Sequence, residues 1–167
     1  MPDFRIAEAG PKDSGRIVQL AWEIWPEWYD QVIGPEQLSY MLNRLYQEEE
    51  ILSRMGSGLQ FVLVRSGKRN AGFFAIRNAG RQLCRLENLY LKKEYRGKGV
   101  GKLMLQKLAA MAEDAGNKVL QCNVNRFNAS LQFYLKHGFC IAEEKDIPFG
   151  PFFLNDFILE YPLGKSI

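Results

Sequence analysis

The chain has 167 residues, 47% apolar and 25% charged, with a net charge of +3. That balance belongs to a globular domain and excludes a disordered one, and so mild a charge permits an anionic ligand without calling for nucleic acid. No apolar run approaches the ~18 residues of a membrane span, and MPDFRIAEAGPKDSGR mixes charges of both signs without an apolar centre. One domain over residues 1–167, in the cytoplasm and without a membrane partner, is the expectation.

In chain order, DFRIAEA reads as a first strand. Over PKDSGRIVQLAWEIWPEWY, Ile17, Leu20, Ala21 and Ile24 recur at helical spacing, with Asp13 or Ser14 as N-cap, and Pro26 ends or kinks the helix. Pro35 opens a second helix with Leu38, Met41, Leu42 and Leu45 as its stripe and QEEE as its solvated end. β-branched and aromatic residues then predominate, broken by SGKRN and NAG, which predicts three hairpin-linked strands near 59–66, 71–78 and 82–91. A long helix follows from about Gly99 to Ala115, with Gly116 at its stop. KVLQCNV is a strand, NASLQFYLKHG a helix stopped by Gly138, FCIAEEKD a strand, IPFGP a turn and FFLNDFILEY the last strand. The order β-α-α-β-β-β-α-β-α-β-β predicts an α+β fold, a mixed sheet of about seven strands with helices on its faces.

Cys84, Cys122 and Cys140 are odd in number and widely spaced, with no CxxC and a single histidine beside them. They predict buried, reduced thiols and no metal site. Cys122 has no neighbouring base to make it a nucleophile, and His137, beside the Gly138 stop, reads as a C-terminal cap.

The stretch YRGKGVGKLM places Gly97, Gly99 and Gly101 where a helix begins, although glycine disfavours a helix by about 1 kcal/mol relative to alanine. A helix N-terminus carries free N–H groups and a partial positive charge, so it attracts anions. Glycines there allow positive φ and let a phosphate reach the amides, while Arg96, Lys98 and Lys102 add charge. The spacing fits neither the P-loop, since Lys102 is followed by Leu103, nor the dinucleotide fingerprint, since the glycines run GxGxG.

Arg96-Gly97-Lys98-Gly99-Val100-Gly101 resembles the R/Q-x-x-G-x-G/A motif of the GNAT superfamily of N-acetyltransferases, and NASLQFYLKHGF resembles that superfamily's second motif. EQLSYML and FFLNDFILE are similar to a bacterial subgroup close to polyamine acetyltransferases. The resemblance implies a GNAT-like fold with its central strands splayed around acetyl-CoA, and no metal. It implies that amides of Arg96 to Gly101 hold the pyrophosphate with Lys102 at the rim, and that the pantetheine arm pairs along Leu89, Tyr90 and Leu91. Asn128 or Asn125 would bond the arm from the other side, because the interval from Asn128 to Tyr134 is one residue shorter than in many members. Tyr134 would protonate the CoA sulfur.

Alternation puts Glu87 on one strand face with Leu89 and Leu91, and a carboxylate there needs work or a partner. The resemblance makes Glu87 the base acting through water; a salt bridge to Arg85 or Arg81 is the other reading. The resemblance further implies an acceptor pocket built by the first two helices and the last hairpin, which here offer Trp25, Trp28, Tyr29 and Asp156 among other aromatics and acids, a lining suited to a cationic amine. The expectation is acetyl transfer to a small primary amine, a polyamine favoured, by direct attack in a ternary complex, with a homodimer expected at superfamily level only. A protein or peptide amine as acceptor, or a non-catalytic acyl-CoA sensor, are the alternatives.

Overall fold

In the computed structural model, which describes residues 3–167, seven strands form one sheet in the order β1-β2-β3-β4-β5-β7-β6. β1 (Phe4–Glu8), β2 (Gln60–Ser66), β3 (Arg69–Asn78) and β4 (Leu83–Leu91) are antiparallel neighbours. β5 (Val119–Asn125) lies parallel to β4, and β7 (Phe152–Pro162) pairs antiparallel with both β5 and β6 (Cys140–Phe149). The one parallel pair follows from the chain path, since α4 (Val100–Asp114) carries the chain between β4 and β5 and a parallel neighbour needs a crossover.

Each face of the sheet has its own core. α1 (Ser14–Tyr29), α2 (Pro35–Leu45) and α3 (Glu48–Gly56) bury Ile17, Ile24, Leu42 and Ile51 against Phe61, Leu63 and Phe73. On the opposite face α4 and α5 (Ser130–Lys136) bury Met104, Leu105, Leu108 and Leu131 against Val64, Phe74 and Leu120. Phe73 and Phe74 are consecutive yet belong to different cores, which explains why β3 reads as an unbroken apolar run. Full burial of each such side chain contributes about 1.5–3 kcal/mol.

Four sequence expectations change. Pro26 does not end α1, which runs on to Tyr29, and Asp30 N–H still donates to Pro26 O at 3.2 Å. The last turn carries Trp28 and Tyr29 onto the core, and that burial outweighs one missing helix bond. QEEE does not end the second helix: Glu48, Glu49 and Glu50 form the first turn of α3, where acids complement the helix dipole. Most of IPFGP is strand, because β6 extends to Phe149 and leaves Gly150-Pro151 as the tight turn. Pro148 is tolerated because β6 is an edge strand, and Gly150 has φ +57°. Cys84 and Cys122 are buried, but Cys140 is exposed on that edge.

Two glycine stops have the expected form. After α4, Asn117 N–H reaches Ala112 O (3.0 Å) and Gly116 N–H reaches Glu113 O (2.8 Å). After α5, Phe139 and Gly138 repeat this pairing with Tyr134 O (3.1 Å) and Leu135 O (3.2 Å). Both stops close helices that border the region where β4 and β5 separate. Among the described residues no helix is long and apolar enough to cross a membrane, and no cluster of His, Cys, Asp and Glu could hold a metal.

Candidate active site

β4 and β5 pair from Leu83↔Val119 to Leu86↔Cys122 and then part, although β4 runs on to Leu91 and β5 to Asn125. The gap opens a cleft of about 540 Å³. It is bordered by Leu86 to Leu91 on one side, Cys122 to Val124 on the other, and Tyr134 on α5.

The parting begins at a bulge. The β3–β4 register steps from Ala75↔Asn88 to Ile76↔Leu86, leaving Glu87 as the extra residue. The bulge reverses the side-chain alternation. Cys84, Leu86, Leu89 and Leu91 therefore face the α4 core, while Asn88 and Tyr90 face the α1 side. The expectation that Glu87 shares a face with Leu89 and Leu91 is thus corrected. Glu87 lines the cleft on the opposite side, with its carboxylate 2.8 Å from Arg77 Nε and 3.8 Å from Arg85 Nε. Arg77, not Arg81, is the near partner, because it lies cross-strand from Arg85.

At the mouth of the gap the three glycines meet different needs. Gly97 (φ +71°) and Gly99 (φ +80°) have left-handed backbones, and a Cβ on either would meet nothing within 4 Å. Gly101 is helical; a Cβ there would lie 3.0 Å from the Phe133 ring, so this glycine lets α5 approach α4. Gly99 is the N-cap of α4 and makes no side-chain cap bond, and Leu103 N–H is bonded to Gly99 O (3.1 Å). The N–H groups of Val100, Gly101 and Lys102 have no carbonyl within the helix to reach. Gly97, Gly99, Gly101 and Lys102 border the cleft, and Gly97 and Gly99 have open space where a side chain would stand, which fits an anionic diphosphate. Val100 is 1% exposed as a whole residue and does not border the cleft, so its amide is the least accessible of the three. Lys102 borders the cleft, whereas Lys98 is exposed beside it.

Arg96 is occupied elsewhere: its backbone N–H donates to Lys93 O (3.1 Å), which removes it from the expected row of diphosphate donors, and its side chain is engaged as well. Nε donates to Leu91 O (2.8 Å), NH2 to Glu27 (3.0 Å), and the guanidinium stacks 4.0 Å from the Trp28 ring centre. This ties the end of α1 to the end of β4 and occupies the Leu91 carbonyl, leaving Leu89 as the freer backbone position of the two. Asn125 and Asn128 both accept local backbone N–H groups, from Phe127 (2.9 Å) and Ser130 (2.8 Å). Of the pair, Asn128 lines the cleft.

Tyr134 is 6% exposed and lines the gap next to Cys122. Burial, then Cys122 and Tyr29, hold its phenol well above the ordinary tyrosine range, so it stays protonated. Burial pushes the Cys122 thiol up to about 12, against nucleophilic use. On the acceptor side Tyr29 and Tyr90 are likewise raised, in both cases first by burial. Trp28 and Tyr29 line the cleft, but Trp25 does not: it packs on Tyr29, Tyr46 and Tyr90 in the core. Asp156 is buried just behind the lining, with Asn123 Nδ2 at 3.2 Å.

Other cleft residues escape the sequence reading. Ser130, Phe133, Lys136 and His137 border it from α5, and their spacing of three and four puts them on one helical face with Tyr134. His137 is also the C-cap, its Nδ1 lying 2.7 Å from Phe133 O. Asn88 is 9% exposed, and only the bulge reveals which way it faces.

A mixed sheet parted at its single parallel pair, with an uncapped helix start at the mouth of the gap, defines an acyltransferase type of α/β protein. The chain belongs to the GNAT acetyltransferase family, whose domain model matches residues 29–147, and is therefore an N-acetyltransferase. The spermidine N(1)-acetyltransferase of Thermoplasma acidophilum is 26% identical over 165 residues, which cover 94% of this chain and 96% of that one. The crystal structure of PaiA N-acetyltransferase from Thermoplasma acidophilum in complex with coenzyme A is 25% identical, with a TM-score of 0.83 over 96% of this chain and 99% of that one. The ribosomal-protein-S18-alanine N-acetyltransferase from Escherichia coli shares the fold at 16% identity, with a TM-score of 0.73 over 99% and 97% of the two chains.

Proposed function

We propose that the protein transfers an acetyl group from acetyl-CoA to a primary amine of a small molecule, the polyamine class favoured, by direct attack in a ternary complex. The chain works as one acetyltransferase domain. One observation carries the reading: the strands part after Leu86 and Cys122, with free helix-start amides at the mouth and a buried, protonated Tyr134 on the wall. The spermidine acetyltransferase relative supports the acceptor class.

Acetyl-CoA supplies the activated acyl carbon and a thiolate leaving group. Amides between Gly97 and Gly101 hold its diphosphate, with Lys102 adding charge at the rim. The unpaired β4 backbone at Leu89 receives the extended arm as a further strand, and Asn128 Nδ2 donates from the far side. Tyr134 gives its proton to the departing sulfur, and Glu87 takes the amine proton through water. Trp28 and Tyr29 wall the acceptor. Holding both reactants in one gap supplies much of the rate.

Calorimetry with acetyl-CoA, followed by thiol release over polyamines, aminoglycosides, amino acids and peptides, tests this. Binding plus turnover of a small amine is expected. No binding at millimolar acetyl-CoA overturns it, and binding without thiol release from any amine replaces it with a non-catalytic acyl-CoA sensor.

A further inference from the structure

Two aspartates are buried among the described residues, and their surroundings differ. Asp13 sits between Arg16 and Arg65 and accepts Gly10 N–H (3.1 Å). Asp156 has a neutral side-chain partner, the Asn123 amide, 3.2 Å from one carboxylate oxygen. That amide is held in orientation by Arg85, which donates to Asn123 Oδ1 at 2.8 Å.

Charged and titratable groups face Asp156 from every element packed against it. Tyr29 comes from α1, Arg85 from β4, Arg126 from the β5–α5 connection, and Lys145 stands opposite on β6. No cation among the described residues forms an ion pair with it: Arg126 is spent on Glu144 (3.4 Å) and Asp146 (2.8 Å), and Arg85 on two amides and Glu87. A carboxylate taken from water without a cation is expensive, so this one gains from any cation that reaches it.

A second buried group on this side also lacks its partner. Asn88 Nδ2 donates to Tyr46 Oη (2.7 Å), but its Oδ1 has no donor, although Asn88 lines the cleft. An unsatisfied acceptor and an unpaired carboxylate both ask for an N–H-rich, cationic ligand.

We infer that Asp156 anchors a second ammonium group of the acceptor, one that is not acetylated, so that the preferred acceptors are linear diamines and polyamines. Asn88 Oδ1 accepts an N–H of the same chain nearer the bulge. The inference rests on the acetyl-transfer reading and adds a two-point requirement to it. The last β4–β5 pair is Leu86↔Cys122 and Asp156 pairs with Asn125, so across the widening gap Glu87 and Asp156 are separated by at least two strand spacings and two residues, on the order of 12 Å or more. With one nitrogen about 3 Å from Asp156 and the reacting one reaching Glu87 through water, that separation suits a linear diamine, and a monoamine would satisfy only one end. Burial raises the Asp156 carboxyl above its ordinary value despite Asn123, Arg126 and Arg85, in line with an anchor that gains from an incoming cation.

The test compares kcat/KM for 1,8-diaminooctane and octylamine in wild type, Asp156→Asn and Asp156→Ser, with acetyl-CoA affinity by calorimetry as the control. Wild type is expected to prefer the diamine by about tenfold or more, because a charged contact is gained at the second nitrogen. Both variants lose that preference, chiefly through KM for the diamine, while acetyl-CoA affinity stays within about twofold. A wild-type ratio near one overturns the anchor whether or not either variant folds, and so does a variant that keeps the wild-type ratio. Wild-type protein that turns over neither amine, nor any other in the panel, overturns the acetyl-transfer reading as well.

Discussion

On the mouth side of the gap, the start of α4 leaves backbone N–H groups without helical partners, and Gly97 and Gly99 are required by positive φ. On the acceptor side, Tyr29, Asn88, Asn123 and Asp156 arrive on α1, β4, β5 and β7 and present side chains. Under the proposed function the first half meets something fixed, a diphosphate, with groups every sequence possesses, and the second meets something variable with groups only this sequence supplies. Changes on the cofactor side should therefore be severe and independent of the acceptor, and changes on the acceptor side should be smaller and selective.

The largest expected effect is from Gly99→Asp. Aspartate tolerates a left-handed backbone better than most residues, so the fold should survive while a carboxylate occupies the anion site. Acetyl-CoA affinity should fall by about 100-fold or more, roughly 2.7 kcal/mol, and Gly99→Asn should lose clearly less. Equal losses from the two would show that shape, not charge, governs the loop. Next comes Tyr134→Phe, for which kcat should drop by about 10- to 100-fold with acetyl-CoA affinity intact. Because the folded Tyr134 keeps its proton well above the ordinary tyrosine range, the wild-type rate should show no loss from its ionisation below about pH 10.

Smaller effects separate the two buried aspartates. Burial raises Asp13, but Gly10 N–H and Arg16 outweigh it, so the folded value lies below the ordinary 3.8. Its stabilisation is present above the unfolded value and is lost as pH falls through the folded one. Asp13→Asn should cost about 1–3 kcal/mol at pH 7 by thermal or urea unfolding, with the deficit shrinking in acid. Asp156 has the opposite sign, because its folded value is raised. Its ionisation weakens the unliganded fold as pH rises through that value, so Asp156→Asn should raise the melting temperature at pH 7, with the gain fading toward pH 3. A lower melting temperature at pH 7 would mean that Asp156 is satisfied by the protein itself. Last, Gly101→Ala should change stability by less than about 1 kcal/mol, because the helix propensity gained offsets the Phe133 contact, with little change in acceptor preference.

Much of the cofactor side could be read from the chain. The helix start at Gly99, the stops at Gly116 and Gly138, and the seven strands all follow from local chemistry: φ preference, spacing of apolar residues and turn residues. Gly101 has a reason no local rule contains, since it answers to a ring on another helix. Trp25 and Trp28 look alike in sequence, and their fates diverge because one helical turn points Trp25 at the core and Trp28 at Arg96. Glu87 was misplaced by alternation because one extra residue in β4 reverses every face after it, and the need for that residue arises from pairing with β3.

By itself the sequence determined the seven strands, the mixed sheet and the glycine bend that opens α4, though not α3 or the full length of β6, because each of those it determined depends on residues within a few positions of one another. Tertiary structure alone decided where β4 and β5 part, which asparagine faces the gap, and that Asp13 is neutralised while Asp156 is not. Those outcomes depend on which distant charges and amides the fold brings within hydrogen-bonding reach, and local preference carries no record of that.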